Sequence, residues 1–189
     1  MSATVHEGLA PPSPWVLRWA RLWPSGSHVL DVACGSGRHL RALAAAGHTV
    51  TGIDRDAEAL APLAGIGETL VADIESGAWP LAGRQFDAVV VTNYLWRPLM
   101  PTLLASVAAE GWLVYETFSI GQETIGKPSN PAFLLRPGEL LDTVRGHAAG
   151  GWRVIAYEDG FLDAPDRFVQ RIAARRVPAV RGEPPRYPL

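Results

Sequence analysis

One cysteine, Cys34, stands alone in 189 residues. A single thiol excludes an intramolecular disulfide framework and fits a reducing compartment. No apolar run reaches the roughly 20 residues that a membrane-spanning helix needs. The N-terminus lacks the basic-then-apolar order of a secretory leader, so the expectation is a soluble cytoplasmic protein that does not engage a membrane. An excess of charge is missing too: 17 Lys and Arg stand against 19 Asp and Glu, a formal net charge of −2. Nucleic-acid binding normally rests on a basic face, and this balance gives no reason to expect one. Arg175, Arg176, Arg181 and Arg186 are the one hint in that direction. The five histidines follow no metal-ligand spacing, and no metal is expected. No internal repeat is visible. The length suits one domain with a sizeable core.

What the chain does have is concentrated between His28 and Asp54. His28 to Val32 is short, apolar and β-branched, as a buried parallel strand should be. Cys34-Gly35-Ser36-Gly37 follows, with two glycines that let the backbone turn sharply and lie close against a ligand. Arg38 to Ala46 is built from good helix formers, and Gly47 is placed to end the helix in the left-handed conformation. Val50 to Ile53 makes the next strand, with Asp54 at its carboxyl end. In a right-handed βαβ unit the glycine turn and that acid face one crevice, which reads as a nucleoside site.

Three residues bear on which nucleoside. A dinucleotide fingerprint needs a third small residue where this chain has Leu40. It also leaves the end of the first strand without a carboxylate, because a pyrophosphate lies on the helix N-terminus there. Here Asp31 occupies that end, where it would repel a diphosphate and attract an ammonium or sulfonium.

The spacing D-x-x-C-G-x-G from Asp31 to Gly37, with a second acid at Asp54, resembles the class I S-adenosylmethionine (SAM) methyltransferases. Ala33 stands where many members carry their first glycine, and a small residue still fits. The resemblance covers roughly residues 15–175. It implies a Rossmann-like, doubly wound α/β fold with a mostly parallel seven-stranded sheet and a C-terminal antiparallel hairpin. It implies SAM as cofactor, held by Asp31, Ala33, Gly35, Gly37 and Asp54. An acid after the third strand reaches the adenine amino group in the family, and an apolar neighbour packs on the ring; Asp73 and Ile74 match those places. A surface Asp in a turn is the alternative for Asp73. Size, the Gly37-Arg38 step and the lack of an added recognition domain look closest to the small bacterial tellurite-resistance and thiopurine methyltransferases, where small-molecule acceptors are usual.

The remaining segments follow in order. Residues 1–12 read as a flexible arm. Ser13-Pro14 reads as a helix start, with Trp15, Trp19, Leu22 and Trp23 as an apolar stripe that either packs on the sheet or covers the crevice. Asp56 caps a short helix to Ala64, and Thr69 to Ala72 is a third strand. Phe86 to Thr92 is a central strand emptying into Asn93-Tyr94-Leu95-Trp96, where residues line the site in open α/β sheets. Asn93 is assigned to the cofactor there. Trp96 fits the pocket or the core equally. Many amino-group methyltransferases carry Asn-Pro-Pro-Tyr at this point, but Asn93 is followed directly by Tyr94.

Pro101 to Glu110 reads as a helix and Trp112 to Thr117 as the fifth strand, which places Glu116 near the cleft. If the acceptor carries a proton, Glu116 or Tyr94 is the nearest base by sequence position. Residues 119–136 are irregular and glycine- and proline-bearing, a lid or a packed connection. A helix from Pro137 to about Arg145 precedes strands at Trp152 to Glu158 and Arg167 to Ala174, joined by a turn at Asp159 to Asp166. Residues 13–175 form the catalytic domain in this reading, and 176–189 an extended tail. A monomer or homodimer is expected. RNA or protein methylation, or a non-catalytic SAM-binding subunit, are the alternatives.

Overall fold

The computed structural model describes residues 10–147, 151–177 and 186–187. Most of the expected arm and tail lies outside the described residues. The chain runs α1 (Pro14–Ala20), β1 (His28–Val32), α2 (Arg38–Ala45), β2 (Thr49–Asp54), α3 (Ala57–Leu60), β3 (Glu68–Val71), β4 (Phe86–Thr92), α4 (Met100–Ala105), β5 (Val107–Phe118), α5 (Glu139–Gly146), β6 (Trp152–Asp163) and β7 (Asp166–Arg176). The seven strands form one sheet in the order β3-β2-β1-β4-β5-β7-β6. The first five are parallel, and β7 enters antiparallel between β5 and β6. The order reverses between β1 and β4, so a crevice opens at their carboxyl ends. Among the described residues no helix is long and apolar enough to cross a membrane.

Strand alternation divides the core into two layers. Leu30, Val32, Val89, Val91 and Tyr115 face one side, where α4 and α5 pack. Val29, Val90, Trp112 and Val114 face the other, against α1 and α2. The tryptophans of α1 belong to this second layer. Trp15, Trp19 and Trp23 are buried, and Trp19 stacks on Trp112 with ring centroids 6.1 Å apart. Removing a side chain of that kind typically costs about 3–5 kcal/mol. Ser13 caps α1 by accepting from the Trp15 amide, and Pro14 takes the first helical position. Trp96 is half-buried and packs on the first layer.

Two boundaries differ most from the sequence reading. The helix expected from Pro101 to Glu110 ends at Ala105, and Val107 already belongs to β5. Val107 pairs with Phe86 and Trp112 with Ala88, so the residues between bulge out of the ladder. Glu110 takes φ of 62° there, and a Cβ on Gly111 would meet the Asp87 carbonyl at 2.9 Å. An alanine-rich segment that is helical by propensity is thus captured by strand pairing. The turn expected over Asp159 to Asp166 shrinks to Ala164-Pro165, because the hairpin ladder continues to the Asp163–Asp166 pair. Phe161 and Phe168 face each other across it, centroids 5.0 Å apart. Of the expected tail, Tyr187 packs edge-on against Trp112.

Candidate active site

The glycine turn after β1 is built from left-handed backbone. Ala33, Gly35 and Gly37 have φ of 53°, 52° and 73°. An L-residue in that region costs roughly 1–2 kcal/mol, which is the strain carried at Ala33. Asp54 holds the turn in place, its Oδ2 accepting from the Gly35 amide at 2.7 Å and its Oδ1 from the Asp56 amide at 3.0 Å. The two glycines do different jobs. A Cβ on Gly35 would project into open space, whereas one on Gly37 would strike the Leu63 side chain at 2.5 Å. Gly37 therefore also serves the packing of α2 against Leu63.

Asp31 is 2% exposed, and neither of its carboxylate oxygens has a hydrogen-bond partner. Burial pushes its carboxyl up to about 8, against the pull of Arg38 and with a further push from Asp54. A buried carboxylate without partners is unfavourable unless a cation meets it. Cys34, beside it, is pushed upward by burial and by the Asp31 charge and is no nucleophile.

A cleft of about 270 Å³ runs from this turn over the carboxyl ends of β2 and β3, bounded by Ala33, Asp54, Ala72, Ile74, Tyr94 and Phe133. Asp73 also lines it, but its Oδ1 accepts from the Glu75 amide and its Oδ2 from the Ser76 hydroxyl. Those contacts hold its carboxyl below the usual range, the Ser76 hydroxyl first. A second cavity of about 230 Å³ adjoins, lined by Asn93, Thr117, Phe118 and Pro128, and shares Glu75, Tyr94 and Phe133 with the first. Asn93, with φ of 54°, lines this second cavity and not the cleft that Asp54 bounds. A larger cavity, about 560 Å³, lies around Asp87 and Gly111 at the amino ends of the strands, the wrong edge for a ligand of this fold.

Tyr94 stands between the two cavities. Its carbonyl accepts from the Tyr115 hydroxyl at 2.7 Å, while its own hydroxyl is buried and unpartnered. Burial, followed by the nearby Glu75 charge, raises the phenol, so it is a donor and not a base. Glu116 stands apart. It is 1% exposed, on the face of β5 under α1, accepting from the Ser13 hydroxyl at 3.1 Å. Arg167 and Arg171 lie 3.6 and 3.5 Å from its oxygens. A carboxylate enclosed by two guanidiniums is structural, which corrects its assignment as a base at the cleft.

The segment from 119 to 136 is fixed at both ends and exposed in the middle. Ser119 bridges to Leu135, and Leu134 and Leu135 are buried. Gln122 is buried too, with Oε1 accepting from the Phe168 amide and Nε2 donating to the Lys127 carbonyl. Arg97 donates to the Ala132 and Leu134 carbonyls and pairs with Glu139, which holds Phe133 at the cleft, 41% exposed. Sequence reasoning did not find Arg97, Arg167 or the burial of His39. All three act through partners far away in the chain, which local pattern does not reveal.

Residues 29–109 match a family model described as a methyltransferase domain. No curated protein matches the sequence. Among solved structures the fold is shared with a SAM-dependent methyltransferase from Methanosarcina mazei, at 16% identity over 89% of this chain and 100% of that one, TM-score 0.66. TehB from Haemophilus influenzae aligns at 19% identity over 90% of this chain and 64% of its own length, TM-score 0.69. The 1,6-didemethyltoxoflavin-N1-methyltransferase of Burkholderia thailandensis, whose structure holds 1,6-didemethyltoxoflavin and S-adenosylhomocysteine, aligns at 16% identity over 86% and 76%, TM-score 0.61. At these identities the likeness carries the fold, while the family match spans the glycine turn and the acids around it. Residues 29–109 are thus similar to a methyltransferase domain, and the chain shares the fold of SAM-dependent methyltransferases.

Proposed function

We propose that residues 13–175 form a catalytic domain that transfers a methyl group from SAM to a small acceptor held over the carboxyl ends of β4 and β5. The observation that carries this reading is the buried, unpartnered Asp31 at the head of the glycine turn. An α-ammonium meets its need for a cation, and Arg38, next along the same turn, suits the adjoining carboxylate. Asp54 has one lone pair left on each oxygen for the ribose hydroxyls after its two backbone bonds. Ala72 and Ile74 offer an apolar face to adenine, with Asp73 at its edge.

When bound, SAM supplies a methyl group already activated on a sulfonium. The chain has to hold an acceptor lone pair in line with it and keep water out. Tyr94 is the donor that orients the acceptor, and Phe133, Pro128 and Phe118 wall it in. With Glu116 held between two arginines and the Tyr94 phenol raised, the acceptor cavity offers only the Glu75 carboxylate, a weak base. That favours an acceptor attacking through an available lone pair or an acidic thiol or phenol. The second cavity is lined by Glu75 and by no Lys or Arg, which favours an uncharged acceptor over an oxyanion.

The test is calorimetry with SAM, then a turnover screen of thiols, phenols, nitrogen heterocycles, oxyanions and total RNA. Asp54→Ala should weaken SAM by about 1.5–3 kcal/mol, the range for hydrogen bonds to a charged group. Binding of NAD in place of SAM would end the reading, and turnover of RNA alone would replace the small acceptor.

A further inference from the structure

We infer that His39 is a positioning residue whose N–H supports the ionised Asp31 carboxyl beneath the cofactor's ammonium. The inference rests on the reading of the cleft as a SAM site. His39 is 1% exposed, one residue into α2. Its Nε2 accepts from the Ser13 backbone amide at 3.0 Å. A neutral imidazole that accepts at one nitrogen carries its proton on the other, so Nδ1 is the donor. That Nδ1 lies 3.8 Å from Asp31 Oδ2. Closing the gap by roughly 0.8 Å would bring it into hydrogen-bond range.

The imidazole cannot act as a cation here. Burial, helped by the Arg38 charge, takes it down to about 3, and protonation would remove the acceptor that Ser13 uses. What it offers Asp31 is a fixed N–H. The ring is fixed because Ser13 is itself held three ways: its amide on His39, its hydroxyl oxygen accepting from the Trp15 amide, and its hydroxyl donating to Glu116. Asp31 faces Arg38 and His39 from α2, Asp54 from β2 and Cys34 from the turn. Against Asp54 and burial, an ammonium and one oriented N–H supply what an ionised carboxylate needs in a dry site.

The linkage has a definite sign. A ligand that requires the ionised carboxyl binds more tightly as pH rises toward the free group's value of about 8, by about tenfold per unit, and levels off above it. Two probes separate the parts: S-adenosylhomocysteine, which carries the ammonium, and methylthioadenosine, which lacks the whole amino-acid tail. Two substitutions separate the nitrogens. His39→Gln keeps an acceptor near the Nε2 position for Ser13 and withdraws the donor from Asp31. His39→Asn keeps a donor near the Nδ1 position and gives up Ser13.

The experiment is calorimetry of both probes from pH 6 to 8 on the wild type, His39→Gln, His39→Asn and Asp31→Asn. The wild type should show the rising slope for S-adenosylhomocysteine and a flat profile for methylthioadenosine. His39→Gln should weaken S-adenosylhomocysteine about tenfold across the whole range and leave the levelling point in place, with methylthioadenosine unchanged. His39→Asn should keep the wild-type profile, and Asp31→Asn should flatten it. Equal effects of Gln and Asn, or a flat wild-type profile with both probes bound, would overturn the role of His39 and leave the SAM site standing. If the wild type binds neither probe, the SAM site itself falls.

Discussion

Replacing Glu116 by Gln separates architecture from chemistry at the one carboxylate that sequence position put forward as a base. The substitution keeps the side chain's shape and an oxygen to accept from Ser13, so that hydrogen bond survives. What is lost is the charge between Arg167 and Arg171, at 3.6 and 3.5 Å. Breaking a fully buried pair typically costs about 3–5 kcal/mol. Here the arginines are 15% and 19% exposed, and Arg171 keeps a 2.7 Å hydrogen bond to Glu158. Water and Glu158 therefore recover part of the loss, and the expected destabilisation is about 2–3 kcal/mol. Urea unfolding followed by tryptophan fluorescence reads it, with the slope on denaturant unchanged. Turnover per folded molecule should stay within about threefold of wild type at temperatures where the variant is folded, since a missing base would cost about a hundredfold or more. A variant of full stability that had lost turnover would refute the argument and return Glu116 to the acceptor.

Ala33→Gly should raise stability by about 0.5–1 kcal/mol, because relief of left-handed strain outweighs the added freedom of the unfolded chain; thermal unfolding measures it, and a loss of stability would contradict the strained turn. Gly35→Val should fold, with modest destabilisation from its φ of 52°, and fail to bind SAM, while Gly37→Val should lose mainly stability as its side chain meets Leu63; a stable Gly37→Val that merely lost SAM would reverse that division. A Gly-Ser linker replacing Glu123 to Ser129 leaves Gln122 and the Arg97 contacts in place but strips Pro128 from the acceptor cavity. It should spare SAM affinity and lower acceptor turnover about tenfold or more; full turnover would make the segment a passive connection.

The part of this architecture that is legible in the sequence is the part held together by near neighbours. His28 to Val32 and Phe86 to Thr92 are bounded apolar runs, and both strands match their expected limits to the residue. The turn from Ala33 to Gly37 and its anchor Asp54 belong to one βαβ unit, so spacing alone places them at one crevice. The rest depends on register, which pattern does not encode. Val107 to Gly111 has helical composition, and only pairing with Phe86 draws it into β5. Alternation puts Glu116 on the α1 face, but that Arg171 stands directly opposite follows from the β5–β7 ladder. His39 reads as one more residue of an amphipathic helix until Ser13, 26 residues earlier, is seen to donate to it.

The contacts that seat α1 also bear on how the molecule is assembled. Ser13 reaches Glu116 across 103 residues, and the Trp15 indole donates to the Ile172 carbonyl across 157. In a chain made from its N-terminus, the helix bearing Trp15, Trp19 and Trp23 emerges before the strands that seat it and completes its seat only after β7 has threaded between β5 and β6. Until then its apolar stripe faces water, the kind of transient exposure that invites association between nascent chains. Loop-closure entropy makes such distant contacts late ones. Translation arrested before β7 should therefore leave the tryptophans unquenched and the chain a client for holdase chaperones, even though β1, β2 and the glycine turn are already complete.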